Sequence, residues 1–133
     1  MSNKNIIDAV DLLTATCYQA AEKSGWWKDL ETGEDVRTWP LKFFKLWVSA
    51  KLMLVVSEIS EAMEGHRKGL QDDKLPQHSM LSVELADAVI RIFDLAGGLG
   101  IPLWQIVADK MDYNANRADH KPEARQGPGG KAY

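Results

Sequence analysis

The sequence predicts an all-α fold, and three observations carry that expectation. Glycine and proline fall at only a few places, and the stretches between them are long and rich in Ala, Leu, Glu, Lys and Met. Apolar residues within those stretches recur at steps of three and four. No strand-like alternation is sustained anywhere, and no internal repeat is evident.

A first helix is expected over about Asn5–Ser24. There Ile6, Val10, Leu13 and Cys17 lead to Ala20 or Ala21 at helical steps, and Gly25 stops the run. Residues 26–39 read as a loop through Thr32-Gly33, and two adjacent tryptophans, Trp26 and Trp27, are unusual in so polar a connection. Pro40 suits a first helical turn, so the longest helix is expected from Leu41 to Lys68, with Gly69 as its C-terminal cap. A polar link follows. Ser79 or Ser82 then caps a third helix running to Ala96, where Gly97-Gly98 and Gly100 are expected to end it. Pro102 opens a fourth, carrying Leu103, Ile106, Val107 and Met111 and fraying near Arg117 or Ala118. The glycine-rich end, about 119–133, is expected to be a mobile tail. The economical arrangement is a single domain over 1–133, built like a four-helix bundle.

Composition narrows the function. A 133-residue chain with 45% apolar residues supports one core. A net charge of −3 argues against binding a nucleic-acid polymer, which needs a basic surface to displace counterions. One cysteine, Cys17, has no partner for an internal disulfide or a thiolate zinc site. The longest aliphatic run, Leu52 to Val56, is far short of the roughly 20 residues a membrane helix needs. The start also lacks a signal-peptide pattern, so a cytoplasmic protein that does not enter the membrane is expected.

Four acids stand out. Glu58 and Glu61 lie three apart in the second helix, and Glu84 and Asp87 repeat that spacing in the third. Positions i and i+3 are roughly 60° apart around a helix, so each pair points to one side. Trp47, Lys51 and Leu54 share the side of Glu58 and Glu61, while Arg91 and Asp94 continue the stripe of Glu84 and Asp87. Four carboxylates converging on one place repel one another unless a divalent cation relieves them. Oxygen-only ligands favour hard ions, Mg²⁺ or in its place Mn²⁺, and Mg²⁺ readily recruits phosphates. The plainer alternative is four solvated acids pairing with Lys51, Lys68 or Arg91.

Lys110, Asn114 and Arg117 follow at a spacing that gathers an ammonium, an amide and a guanidinium within an arc of roughly 60°. Such a row suits phosphate, with complementing of the helix C-terminus as its plainer reading. Trp26, Trp27, Trp39, Trp47 and Tyr113 are candidate surfaces for stacking on a base, with Trp47, on the acidic face, first and Trp27, in the loop, next; core or subunit packing is the alternative for each. His66, His78 and His120 form no pattern of a nucleophilic triad.

These residues resemble a known pattern. Ser57-Glu58-Ile59-Ser60-Glu61-Ala62, Glu84-Leu85-Ala86-Asp87-Ala88 and Lys110-Met111-Asp112-Tyr113-Asn114 with Arg117 are similar to the MazG-like branch of the all-α nucleoside triphosphate pyrophosphohydrolases. The likeness spans about Trp26 to Lys131, and 22 residues separate Glu61 from Glu84, a gap of the family's size. The resemblance implies hydrolysis between the α and β phosphates, giving monophosphate and pyrophosphate by a metal-activated water. It implies Mg²⁺ on Glu58, Glu61, Glu84 and Asp87, with one of these carboxylates as base, and phosphate contacts from Lys110, Asn114 and Arg117. It also implies a MazG-type fold completed in a homodimer or homotetramer. Ser57 stands where many relatives carry a further glutamate. The competing expectation is a non-catalytic oligomerising or nucleotide-binding regulator on the same scaffold. A di-iron bundle lacks its Glu-x-x-His element here, and no P-loop is present.

Overall fold

The computed structural model describes residues 3–131, whose regular structure is helical, with no strand among them beyond two isolated bridges, Lys28 to Asp35 and Gln71 to Ser79. The five α-helices are α1 (Asn3–Lys23), α2 (Leu41–Lys68), α3 (Met80–Gly98), α4 (Leu103–Asn116) and the short α5 (Pro122–Gln126). The helix ends follow local chemistry. Gly69 caps α2 in the left-handed region at φ 64°, where a side chain would be strained. The Ser79 side chain accepts the backbone N–H of Ser82 and so starts α3.

Residues 13–101 form one compact unit. Its main packing is α2 along α3, and its core gathers Trp27, Val36 and Leu95, with Tyr18, Phe44 and Trp47 packed against them. The connection 24–39 is pinned by ion pairs: Arg37 bonds Asp35 and, at 2.9 Å, Glu22 of α1, and also donates to the Tyr18 hydroxyl. That guanidinium holds the Asp35 carboxyl down at about 2.

α3 departs from the expected boundary. The helix passes through Gly97 and Gly98 and is capped at Leu99. The reason is close approach: a Cβ on Gly98 would lie 1.9 Å from Trp27 Cζ2, and one on Gly97 would lie 2.5 Å from Tyr18 Cβ. These glycines serve packing, by letting two aromatic rings rest on the helix backbone.

The second unit joins the first turns of α1 to residues 102–131. Within it α4 ends at Asn116, so Arg117 lies just past the helix with extended backbone. The stretch after it, expected to be a tail, carries a short 3-10 turn at Ala118–His120 and then α5. Lys131 lies 3.4 Å from Asp119, and residues 132–133 of that stretch lie outside the described residues.

Candidate functional site

The packing of α2 along α3 draws three of the four expected acids together. Carboxylate oxygens of Glu58, Glu84 and Asp87 all lie within 4.8 Å of one another. Glu58 and Glu84 are only 7% and 8% exposed, whereas Asp87 is open to solvent. Glu61, one turn beyond Glu58, is exposed and stands outside this trio. It borders a neighbouring cavity of about 550 Å³ that Glu84 and Asp87 share with the loop residues Asp72 and Asp73.

Such crowding has an electrostatic cost, and two features relieve it. Arg91, one turn after Asp87 on α3, donates from Nε to Glu58 Oε1 at 2.6 Å. Glu84 is pushed up from 4.5 to about 7, first by burial, then by its hydrogen bond to Glu58 and the negative charges of Glu61, Glu58 and Asp87. Near neutral pH a guanidinium and the proton held on Glu84 thus relieve part of the trio's charge. All donors are hard oxygens from two adjoining helices, a set that fits Mg²⁺ or Mn²⁺, and a cation would take over the neutralisation.

Beside the trio is a cavity of about 310 Å³ lined by Asp87, Arg91 and Asp94 of α3, Lys51 of α2 and Trp26. Asp94 is buried and takes the Trp27 indole N–H at 2.7 Å. Lys51 Nζ lies 3.9 Å from the other Asp94 oxygen and 4.9 Å from the centre of the Trp47 ring. Burial lowers the Lys51 ammonium and raises the Asp94 carboxyl from their ordinary values.

The two tryptophans preferred for stacking on a base, Trp47 and Trp27, are packed in the core instead. Trp27 is 1% exposed, packed at 4.8 Å on Trp47 and edge-on to Tyr18, so neither face is open to a base. Trp47 is half-buried between Trp27 and Phe44 and serves the core. Trp26 is the open ring of the pair, at 66% exposure. Nothing in the doublet distinguishes the two; the turn after α1, with Trp26 N–H bonded to Ala21 and Val36 N–H to Trp27, decides which ring faces inward. Asp94 and Lys51 were visible only as members of a stripe, because their pairing depends on the register between α2 and α3.

The phosphate row lies in the other unit. Lys110 sits with its ammonium 4.7 Å from the Tyr113 ring centre. Asn114 Oδ1 is buried without a hydrogen-bond partner, an acceptor short of a donor. Arg117, off the helix, is held by Asp119 at 2.6 and 2.9 Å. His66, His78 and His120 are exposed. Among the described residues no helix is long and apolar enough to cross a membrane. Comparison with protein-family models, curated proteins and solved structures finds no match to this chain.

Proposed function

We propose that the protein is a Mg²⁺-dependent nucleoside triphosphate pyrophosphohydrolase. The observation that carries this reading is the convergence of Glu58, Glu84 and Asp87, the last of which lines a cavity that also holds two cations, Arg91 and Lys51. Glu58, Glu84 and Asp87 would hold the metal, with exposed Glu61 reaching the same ion or its waters. A bound divalent ion supplies charge neutralisation and an acidified water. The chain's own residues do the rest. Asp87, the open member of the trio, or Glu61, also exposed, would accept a proton from an attacking water. Arg91, which bonds Glu58 through Nε, would offer its guanidinium fork to phosphate oxygens. Lys110, Asn114 and Arg117 are the further phosphate contacts that the family likeness suggests.

The same reading includes a MazG-type helical fold completed by a second copy of the chain. Leu52, Val56, Ile59 and Met63 form a stripe along α2, all near half exposed, and by helical spacing this stripe lies away from Glu58. So long an unpartnered apolar row favours self-association.

The test is product analysis. In Mg²⁺ with each triphosphate, monophosphate and pyrophosphate are expected in equal amounts, with ¹⁸O from labelled water on the monophosphate, and Glu58→Gln is expected to abolish both. Orthophosphate as the sole phosphate product contradicts the cleavage position. One observation favours a second reading, a non-catalytic regulator: Arg91 and the proton on Glu84 already relieve part of the acids' charge without metal. On that reading neither the native chain nor Glu58→Gln yields product, and Mg²⁺ leaves thermal stability unchanged.

A further inference from the structure

The cavity beside the acidic trio is lined by a charged pair, Lys51 and Asp94, whose hydrogen-bonding capacity the protein leaves partly unused. Lys51 is 14% exposed at its side chain, and its ammonium is surrounded by Trp26, Trp27 and Trp47, with ring centres 4.9 to 5.9 Å away. Its nearest anion, Asp94 Oδ2, is 3.9 Å distant, beyond hydrogen-bond reach, and no hydrogen bond to the ammonium occurs among the described residues. A buried ammonium has three donors to satisfy. Asp94 is equally confined. The Trp27 N–H at 2.7 Å fixes its Oδ1 and leaves further lone pairs on both oxygens. The pair therefore offers a donor-only group next to an acceptor-only group, at the floor of a cavity of about 310 Å³ with the open Trp26 ring at its side. That volume falls within the roughly 300–1,000 Å³ of small-molecule sites.

A complementary ligand presents an acceptor adjacent to donors on one planar edge. Guanine does so most completely: its O6 suits the ammonium, while the neighbouring N1–H and 2-amino group suit the two carboxylate oxygens. Cytosine and adenine each bring one amino donor beside a ring nitrogen. Uracil and thymine bring a single N–H between two carbonyl oxygens, one of which would meet the carboxylate. Asp87 of the trio and Arg91 line the same cavity, so a base held by Lys51 and Asp94 would leave its phosphates toward Asp87 and Arg91. We infer that Lys51 and Asp94 read the base and that the preferred ligand is a guanine nucleotide. This rests on the proposed nucleotide chemistry of the neighbouring carboxylates and deepens it to a substrate class.

The experiment separates base reading from hydrolysis. Binding of GTP, ITP, ATP, CTP and UTP to the full chain is followed by tryptophan fluorescence in EDTA, where no metal supports turnover. GTP is expected to bind tightest. ITP, which lacks only the 2-amino group, is expected to be weaker by about tenfold, the loss of one hydrogen bond to a charged group. Asp94→Asn keeps an acceptor for Trp27 and is expected to remove the preference for GTP over UTP, while the native chain's GTP-to-ITP ratio needs no variant. Equal affinity for GTP, ITP and UTP overturns the inference, as does uniform weakening of every triphosphate by Lys51→Met, which would make Lys51 a phosphate contact. A preference for GTP without pyrophosphate release in Mg²⁺ supports the base reading while refuting the hydrolase.

Discussion

At the scale of single residues the site is governed by where Glu84 keeps its proton. The folded chain holds that proton up to about 7, whereas a freely solvated glutamate releases it near 4.5. Between those values the folded state binds more protons than the unfolded one, so this group's contribution to metal-free stability falls as pH rises from 4.5 to about 7. A cation competes with the same proton. The rise in melting temperature on adding Mg²⁺ is therefore expected to grow across that interval and to level off above about pH 7, with Glu84→Gln flattening the dependence. Thermal denaturation with and without Mg²⁺ across this range checks it; a pH-independent shift would contradict it. The acidic residues themselves were legible from sequence, because i and i+3 spacing puts two carboxylates on one side of a helix whatever that helix packs against. The grouping was not legible. Spacing treats Glu58 and Glu61 alike, yet packing buries the first against Arg91 and leaves the second in solvent.

At the scale of elements, α2 shows why some helices can be read closely from the chain. Pro40 and Gly69 act through local backbone geometry, and the helix between them begins at Leu41 and ends at Lys68 as that geometry requires. Gly97 and Gly98 belong to the opposite case. Read locally they end a helix, but the rings of Tyr18 and Trp27 lie so close to α3 that only glycine fits. Gly98→Ala would bring a methyl within 1.9 Å of the Trp27 ring. Because the ring is fixed by its bond to Asp94 and its contact with Trp47, it has little room to yield. A loss of about 1–3 kcal/mol in urea unfolding is expected, the range for overpacked cores. An unchanged midpoint would contradict this account of the two glycines. Arg117 teaches the same lesson from outside a helix: the expected row assumed continuous helix, and α4 ends one residue too soon for it.

At the scale of the whole molecule, the apolar stripe on α2 bears on assembly. If a second copy covers Leu52, Val56, Ile59 and Met63, light scattering is expected to give at least twice the chain mass of 14.9 kDa. Ile59→Lys, which places a charge in the middle of the stripe, is expected to lower that mass; a native chain that runs as a monomer would refute the dimer. The all-helical character was legible because every long segment has one period and two punctuated ends. The cavity was not, since it depends on three segments meeting around Trp27. The proposed chemistry requires the acids of α2 and α3 to act together on a divalent cation. The most direct measurement is Mn²⁺ titration of the full chain by electron paramagnetic resonance, at a pH above about 7, where Glu84 is ionised. At least one Mn²⁺ is expected to bind per chain, displaceable by Mg²⁺ and lost in Glu58→Gln and in Asp87→Asn. Free Mn²⁺ signal undiminished by the native chain, or binding that both variants retain, would contradict it.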